Sequence, residues 1–257
     1  MLRVFFFLFL HVILAGFAYS QAPLVVDNPS TTPPGKFHFE WFDQFAELPN
    51  SAEPANNQNT FVFTTNYGLL PNLELGMDFP LITISGQQNR TGVGDFDFTV
   101  KYILLPSTYP KKRTAFGMTA SVEFPTGNSK ENFGSGVTDF DMNMMLQIYC
   151  LQKLVLILNG GIQFTGNTLT GLVGTPDRGE VLSGGTSLTY QLSPRIAIAG
   201  ELTGYQGRSH VFEDRELREQ AALTYTFTPH FAVAVAIQHG TYATPPVQVQ
   251  SGLIIDP

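Results

Sequence analysis

From residue 36 onward, apolar and polar positions alternate along the chain, run after run. In Leu73-Glu74-Leu75-Gly76-Met77-Asp78-Phe79 every odd residue is apolar and every even one is polar or glycine. Side chains of a strand point alternately to its two faces, so each such run has one oily face and one polar face. The design repeats. Phe96, Phe98, Val100, Tyr102 and Leu104 oppose Asp95, Asp97, Thr99 and Lys101. Phe116, Met118, Ala120, Val122 and Phe124 oppose Ala115, Gly117, Thr119, Ser121 and Glu123. Phe140, Met142, Met144, Leu146 and Ile148 oppose Asp139, Asp141, Asn143, Met145 and Gln147. This standard predicts twelve strands, near 36–46, 60–68, 72–81, 93–105, 113–124, 137–149, 154–165, 181–192, 195–205, 215–227, 231–239 and 246–254. Residues 210–222 are the best helical candidate, but the alternation of Leu217, Ala221, Leu223, Tyr225 and Phe227 runs through them.

The connections divide into two kinds. Those near 47–59, 82–92, 125–136, 166–180 and 206–214 are long and rich in Gly, Asn, Ser and Thr. Those near 69–71, 150–153, 193–194 and 228–230 are tight, and three of them carry Pro71, Pro194 and Pro229. Residues 106–112 make a turn of intermediate length. A soluble sandwich has no reason to lengthen every second loop, whereas an outer-membrane barrel has short periplasmic turns and long external loops.

Composition supports the barrel. Charged residues are only 14% of the chain, beside 22 Phe and 24 Gly. The polar face carries Gly, Ser, Thr, Asn and Gln rather than the Lys and Glu of a soluble surface. Strands of about ten residues are long enough to cross a bilayer when tilted. Tyr102, Phe124, Tyr149, Phe164, Tyr190, Tyr225 and Phe227 stand near strand ends, where aromatic girdles sit. The expected fold is all-β: a single antiparallel up-and-down transmembrane β-barrel, polar inside and oily outside, with both termini periplasmic. A soluble periplasmic barrel or sandwich is the alternative.

The N-terminus fits that destination. Arg3 precedes an apolar run from Val4 to about Phe17, then Ala18-Tyr19-Ser20 with small residues at the −3 and −1 positions of a cleavage site. Residues 1–20 are therefore expected to be a secretory signal peptide, the run being shorter than the ~20 residues of a comfortable span. Their removal takes away one basic residue and shifts the net charge from −7 to −8. Residues 21–35, rich in Pro, Ser and Thr, are expected to be an extended segment and a possible plug, with 36–257 forming the barrel. The single cysteine, Cys150, excludes an internal disulfide and a cysteine-based zinc site. No basic run is present, so no nucleic-acid partner is expected.

Several motifs resemble a known family. They are Pro33-Pro-Gly-Lys-Phe-His-Phe-Glu40, Leu73-Glu-Leu-Gly-Met77, Gly92-Val-Gly-Asp-Phe-Asp-Phe-Thr-Val-Lys-Tyr102, Val122-Glu-Phe-Pro-Thr-Gly-Asn128 and Gly134-Ser-Gly-Val-Thr-Asp-Phe-Asp141. Together they make the chain similar to the bacterial family called "MetA-pathway of phenol degradation". The resemblance implies an outer-membrane barrel acting as a channel or transporter for small organic molecules, aromatic or hydrophobic ones among them; the family name does not imply catalysis. The partners it implies are outer-membrane lipid, a small-molecule solute and the barrel-assembly machinery. The chain departs from such barrels in its last residues, Leu253-Ile-Ile-Asp-Pro257, which lack a terminal aromatic.

Barrel topology assigns heights to the charged residues. Asp95, Asp97, Glu123, Asp139 and Asp141 fall near the outer ends of three neighbouring strands, all on the polar face. Lys101 lies deeper on the same face, and Arg218 lies on the polar face of the tenth strand. These seven are the candidate pore-lining or pore-mouth residues. Three readings apply to the acids. They could attract cations to the pore, hold calcium, or accept backbone N–H bonds and tie down the loops above them. An anchoring barrel without transport is a further alternative, as is an outer-membrane lipid-modifying enzyme. For the enzyme, His239 is the one histidine on the lipid-facing parity near the outer rim, but no Gly-x-Ser-x-Gly or His-Glu-x-x-His motif accompanies it. No catalytic residue, cofactor or metal is expected.

Overall fold

The structure, a computed structural model, describes residues 24–48, 55–87, 89–108, 110–165, 179–207, 215–242 and 244–257. The expected signal peptide lies outside the described residues, as do residues 21–23 of the N-terminal segment. Among the described residues thirteen strands form: β1 Phe37–Glu47, β2 Ala55–Leu70, β3 Leu73–Gly86, β4 Arg90–Val93, β5 Phe96–Leu105, β6 Thr114–Phe124, β7 Asp139–Leu151, β8 Leu154–Phe164, β9 Glu180–Ser193, β10 Ile196–Tyr205, β11 Glu216–Thr228, β12 Phe231–Tyr242 and β13 Val247–Ile255. Each neighbouring pair is antiparallel, and the sheet closes on itself. Phe39 of β1 faces Thr65 of β2 on one side and Ile255 of β13 on the other. Closure pairs every strand but the short β4 on both edges, which a hydrocarbon environment demands of a backbone that is not helical.

All twelve predicted strands are present. The thirteenth arises because β4 and β5 form one descending strand, interrupted at Gly94 and Asp95. Both halves pair with β3. Pro80 sits in β3 at the break; it has no N–H to offer a neighbour, and its carbonyl accepts the Gly94 N–H at 2.8 Å. The expected loop at 82–92 is instead mostly a hairpin, in which Leu81 to Ile84 pair with Val93 to Arg90. The alternation of Leu81 and Thr83 with Ile82 and Ile84 simply continues upward. At the opposite end, residues 71–72, 152–153, 194–195 and 229–230 are two-residue turns.

The two faces are as the parity predicts. Met77, Phe79, Tyr102, Phe140, Met142, Met144, Leu188 and Leu223 are exposed on the outside. Lys101, Thr119, Asp139, Gln147, Ser187, Glu201, Gln220, Gln238 and Gln250 are buried inside. A continuous apolar exterior around a polar interior is stable only in lipid. An aromatic belt marks one level of that exterior. Ring centroids run from Trp41 to Phe63 at 5.3 Å, Phe63 to Phe79 at 6.2 Å, Phe79 to Phe96 at 4.9 Å, and Phe96 to Phe124 at 5.8 Å. Nearer the two-residue turns, Tyr225, Phe227 and Phe231 make a second cluster. Tyr149 differs from the expected girdle. It shares the parity of Met145 and Gln147, so it turns inward and packs against Val155 and Ile157.

Candidate solute pathway in the barrel lumen

Register brings the acids to one level. Asp78 of β3 pairs with Asp97 of β5, Asp97 with Glu123 of β6, and Glu123 with Asp139 of β7. Neighbours across strands stand about 5 Å apart. Four carboxyl groups therefore cross one lumenal wall at the height of the external Phe79–Phe96–Phe124 belt. Asp141 follows one inward step below Asp139, facing Ser121. Asp78 was not among the sequence candidates. Its even position in Leu73–Phe79 gave its face, but only the β3–β5 register gives its height. The Thr64 hydroxyl donates to it from β2.

Asp95 has a different task. Its carboxylate accepts the backbone N–H of Gly127 at 2.8 Å and of Ser135 at 2.6 Å. It thereby draws the 125–138 loop inward over the acid row. Gly134 lies so close to the Asp95 carboxylate that a Cβ there would collide with it. Phe133, buried at the loop's tip, lies against Gly92. Beneath the loop is an open cavity of about 390 Å³, lined by Asp95, Asp97, Glu123, Pro80, Ile82 and the 132–135 backbone. Asp97 and Glu123 thus face a solvent-sized space, while Asp95 ties the loop above them.

The two cations are paired. Lys101 is buried, with its Nζ 2.8 Å from Asp27 Oδ1 and 3.8 Å from Glu74 Oε1. Arg218 pairs with Glu216 on its own strand and lies over the Tyr205 ring, 5.4 Å from its centroid. At the end with the two-residue turns His38 bridges Glu40 at 2.7 Å and Asp256 at 2.6 Å, joining β1 to the residue after β13. His239 is exposed on the outside, its Nδ1 2.8 Å from the Pro246 carbonyl oxygen.

The Lys101 contact shows where the N-terminal segment goes. Residues 24–32 run along the inward-facing side chains as an irregular strap, and the exposed residues 33–36 lead from it into β1. Near its base, Gly35 donates to the Gly68 carbonyl at 2.7 Å, and Thr32 N–H donates to Glu74 at 2.5 Å. Gly68 is required there, because a Cβ would collide with the carbonyl oxygens of Thr32 and Pro33. Across the lumen, Val25 and Val26 N–H groups donate to the Glu201 carboxylate of β10 at 2.8 and 2.9 Å. Asn159 of β8 accepts the Asp27 N–H at 2.7 Å and donates to the Asp27 carbonyl at 2.8 Å. Val26 is 2% exposed, clustered with Val155 and Ile157. The strap therefore reaches from the β2–β3 wall to the β8–β10 wall.

Comparison with solved structures finds the same fold. The NanC porin aligns at 12% identity with a TM-score of 0.60, covering 85% of this chain and 98% of that one. The KdgM porin aligns at 10% identity with a TM-score of 0.54 over the same shares. A KdgM structure in complex with disordered oligogalacturonate aligns at 10% identity and 0.55. At such identities the likeness is one of fold. No curated protein sequence matches the chain. The barrel architecture, with its apolar exterior and aromatic belts, belongs in the bacterial outer membrane. One family profile, "Putative MetA-pathway of phenol degradation", matches residues 25–252, nearly the whole barrel with its strap, and the chain belongs to that family.

Proposed function

We propose that this barrel is an outer-membrane channel for small organic solutes, that its acidic wall favours those carrying positive charge, and that the strap closes the pathway at rest. The observation that carries this reading is the level row Asp78–Asp97–Glu123–Asp139 inside a closed barrel. Charges lining a narrow, low-dielectric passage concentrate counter-ions far more than charges on an open surface. Strap closure is supported by its contacts with opposite walls. The role is one of passage without catalysis; His239 engages a backbone carbonyl beside the outer rim rather than a nucleophile.

The test is a reversal-potential measurement in planar bilayers across a salt gradient, made on the protein with Asp97→Asn, Glu123→Gln and Asp141→Asn against the unaltered chain. Screening limits the acids' reach to about 8 Å at physiological salt, so the contrast is largest in dilute salt. Cation preference should fall in the triple variant. An unchanged preference in a correctly folded barrel refutes the electrostatic role of the row.

A further inference from the structure

The groups that hold the strap have the composition of a ligand site. Asn159 accepts the N–H of Asp27 and donates to the C=O of the same residue, so its side-chain amide grips the backbone on both sides of one Cα. It is itself held in orientation by Asn143 Nδ2, 3.2 Å from its Oδ1. The Glu201 carboxylate takes two successive N–H groups, and Lys101 takes a carboxylate. Between them Val155, Ile157 and Tyr149 form an apolar pocket for one branched side chain. Gly185 opens its rim, since a Cβ there would lie 2.7 Å from the Val26 methyl.

A second observation lies within the same seat. Ser187 of β9 pairs in register with Glu201 on one side and Ile157 on the other. It shares the inward parity of Gly185, is 1% exposed, and its hydroxyl has no hydrogen-bond partner. A buried hydroxyl left unsatisfied costs about 1–3 kcal/mol. The strap's contacts with Glu201, Asn159 and Lys101 leave this hydroxyl unmet.

We infer that the seat of residues 25–27 is a ligand site of its own, set below the acid row and distinct from the passage of cationic solutes, and that its ligand is a small peptide-like amide in which a branched apolar side chain precedes a carboxylate. The inference rests on the channel reading, with the strap as the internal competitor for the site. A tethered segment competes at an effective concentration in the millimolar range. Free ligand therefore displaces it only when abundant, which makes opening depend on supply. Each contact assigns part of the ligand. Glu201 reads consecutive N–H donors, Asn159 the backbone N–H and C=O of the acidic residue, and Lys101 the acid. Ser187 adds a bond to any further polar group.

The experiment uses the full chain with Val26→Asp and Asp27→Lys, which place a charge in the apolar pocket and a cation against Lys101. Single-channel conductance is measured with acetyl-Val-Val-Asp-amide as probe, and with the same peptide ending in Asn or Lys. The substitutions should raise conductance by freeing the strap. The Asp peptide at ~1 mM should block the opened channel, and the Asn and Lys peptides should need roughly tenfold more or higher, because they lose the charge-assisted bond to Lys101. Raised conductance with no block, or equal block by all three peptides, overturns the ligand site while leaving the strap as a stopper. Unchanged conductance in the folded variant overturns the stopper reading and the ligand site with it.

Discussion

A paired arginine substitution on β5 tests the inside-out arrangement. Val100 and Thr99 are adjacent, so they share one depth but point to opposite faces. Val100 lies on the exterior between Leu75 of β3 and Ala120 of β6, below the belt level of Phe96 and above Tyr102. An arginine there must hold a guanidinium in hydrocarbon at a cost of about 2–4 kcal/mol. That is a factor of roughly 30 to 900 in the folding equilibrium, at 1.36 kcal/mol per tenfold. Thr99 points into the lumen, where its hydroxyl donates to Ser121 at 3.0 Å and its β3 neighbour is Gly76. Thr99→Arg loses that neutral hydrogen bond, worth about 1 kcal/mol. It keeps its charge in a polar interior two residues below Asp97, and a pair with that acid returns about 0.2–1 kcal/mol. Val100→Arg should therefore exceed Thr99→Arg by about 1–4 kcal/mol. The assay is urea unfolding in lipid vesicles, followed by fluorescence. The chain has one tryptophan, and Trp41 stands in the external belt, its ring tilted against Phe63, so its emission reports insertion directly. Equal losses at the two sites, or the reverse order, refute the assignment of faces.

Two further predictions concern the lumen. Asp95→Ala removes the acceptor of two backbone N–H groups and should free the 125–138 loop, read as faster proteolysis within it, while Asp95→Asn, which retains one acceptor oxygen, should have a smaller effect. Gly68→Ala puts a methyl against the Thr32 and Pro33 carbonyls and should displace the base of the strap, raising bilayer conductance without altering heat stability; unchanged conductance shows that the strap does not control the pore.

The strands, their two faces and the alternation of short turns with long connections follow from the sequence alone, because a period of two needs only neighbouring residues to be read. The pattern alone does not say which face is inside; composition does, since a polar face rich in Gly, Ser, Thr and Gln suits a hydrated lumen. Where local pattern met a non-local constraint, reading stopped. Residues 82–92 are turn-rich in composition, yet pairing with one another makes most of them strand. Asp78 shows no distinction from Glu74 along the chain; the offset between β3 and β5 alone sets it level with Asp97. Lys101 looks like a pore-lining charge by position, and becomes the anchor of Asp27, 74 residues away, only because closing the barrel folds the N-terminal segment back through its centre. Parity is local and legible, whereas register, closure and the path of the strap are properties of strands that meet only in the folded barrel, and these place the acids, the ion pair and the seat together.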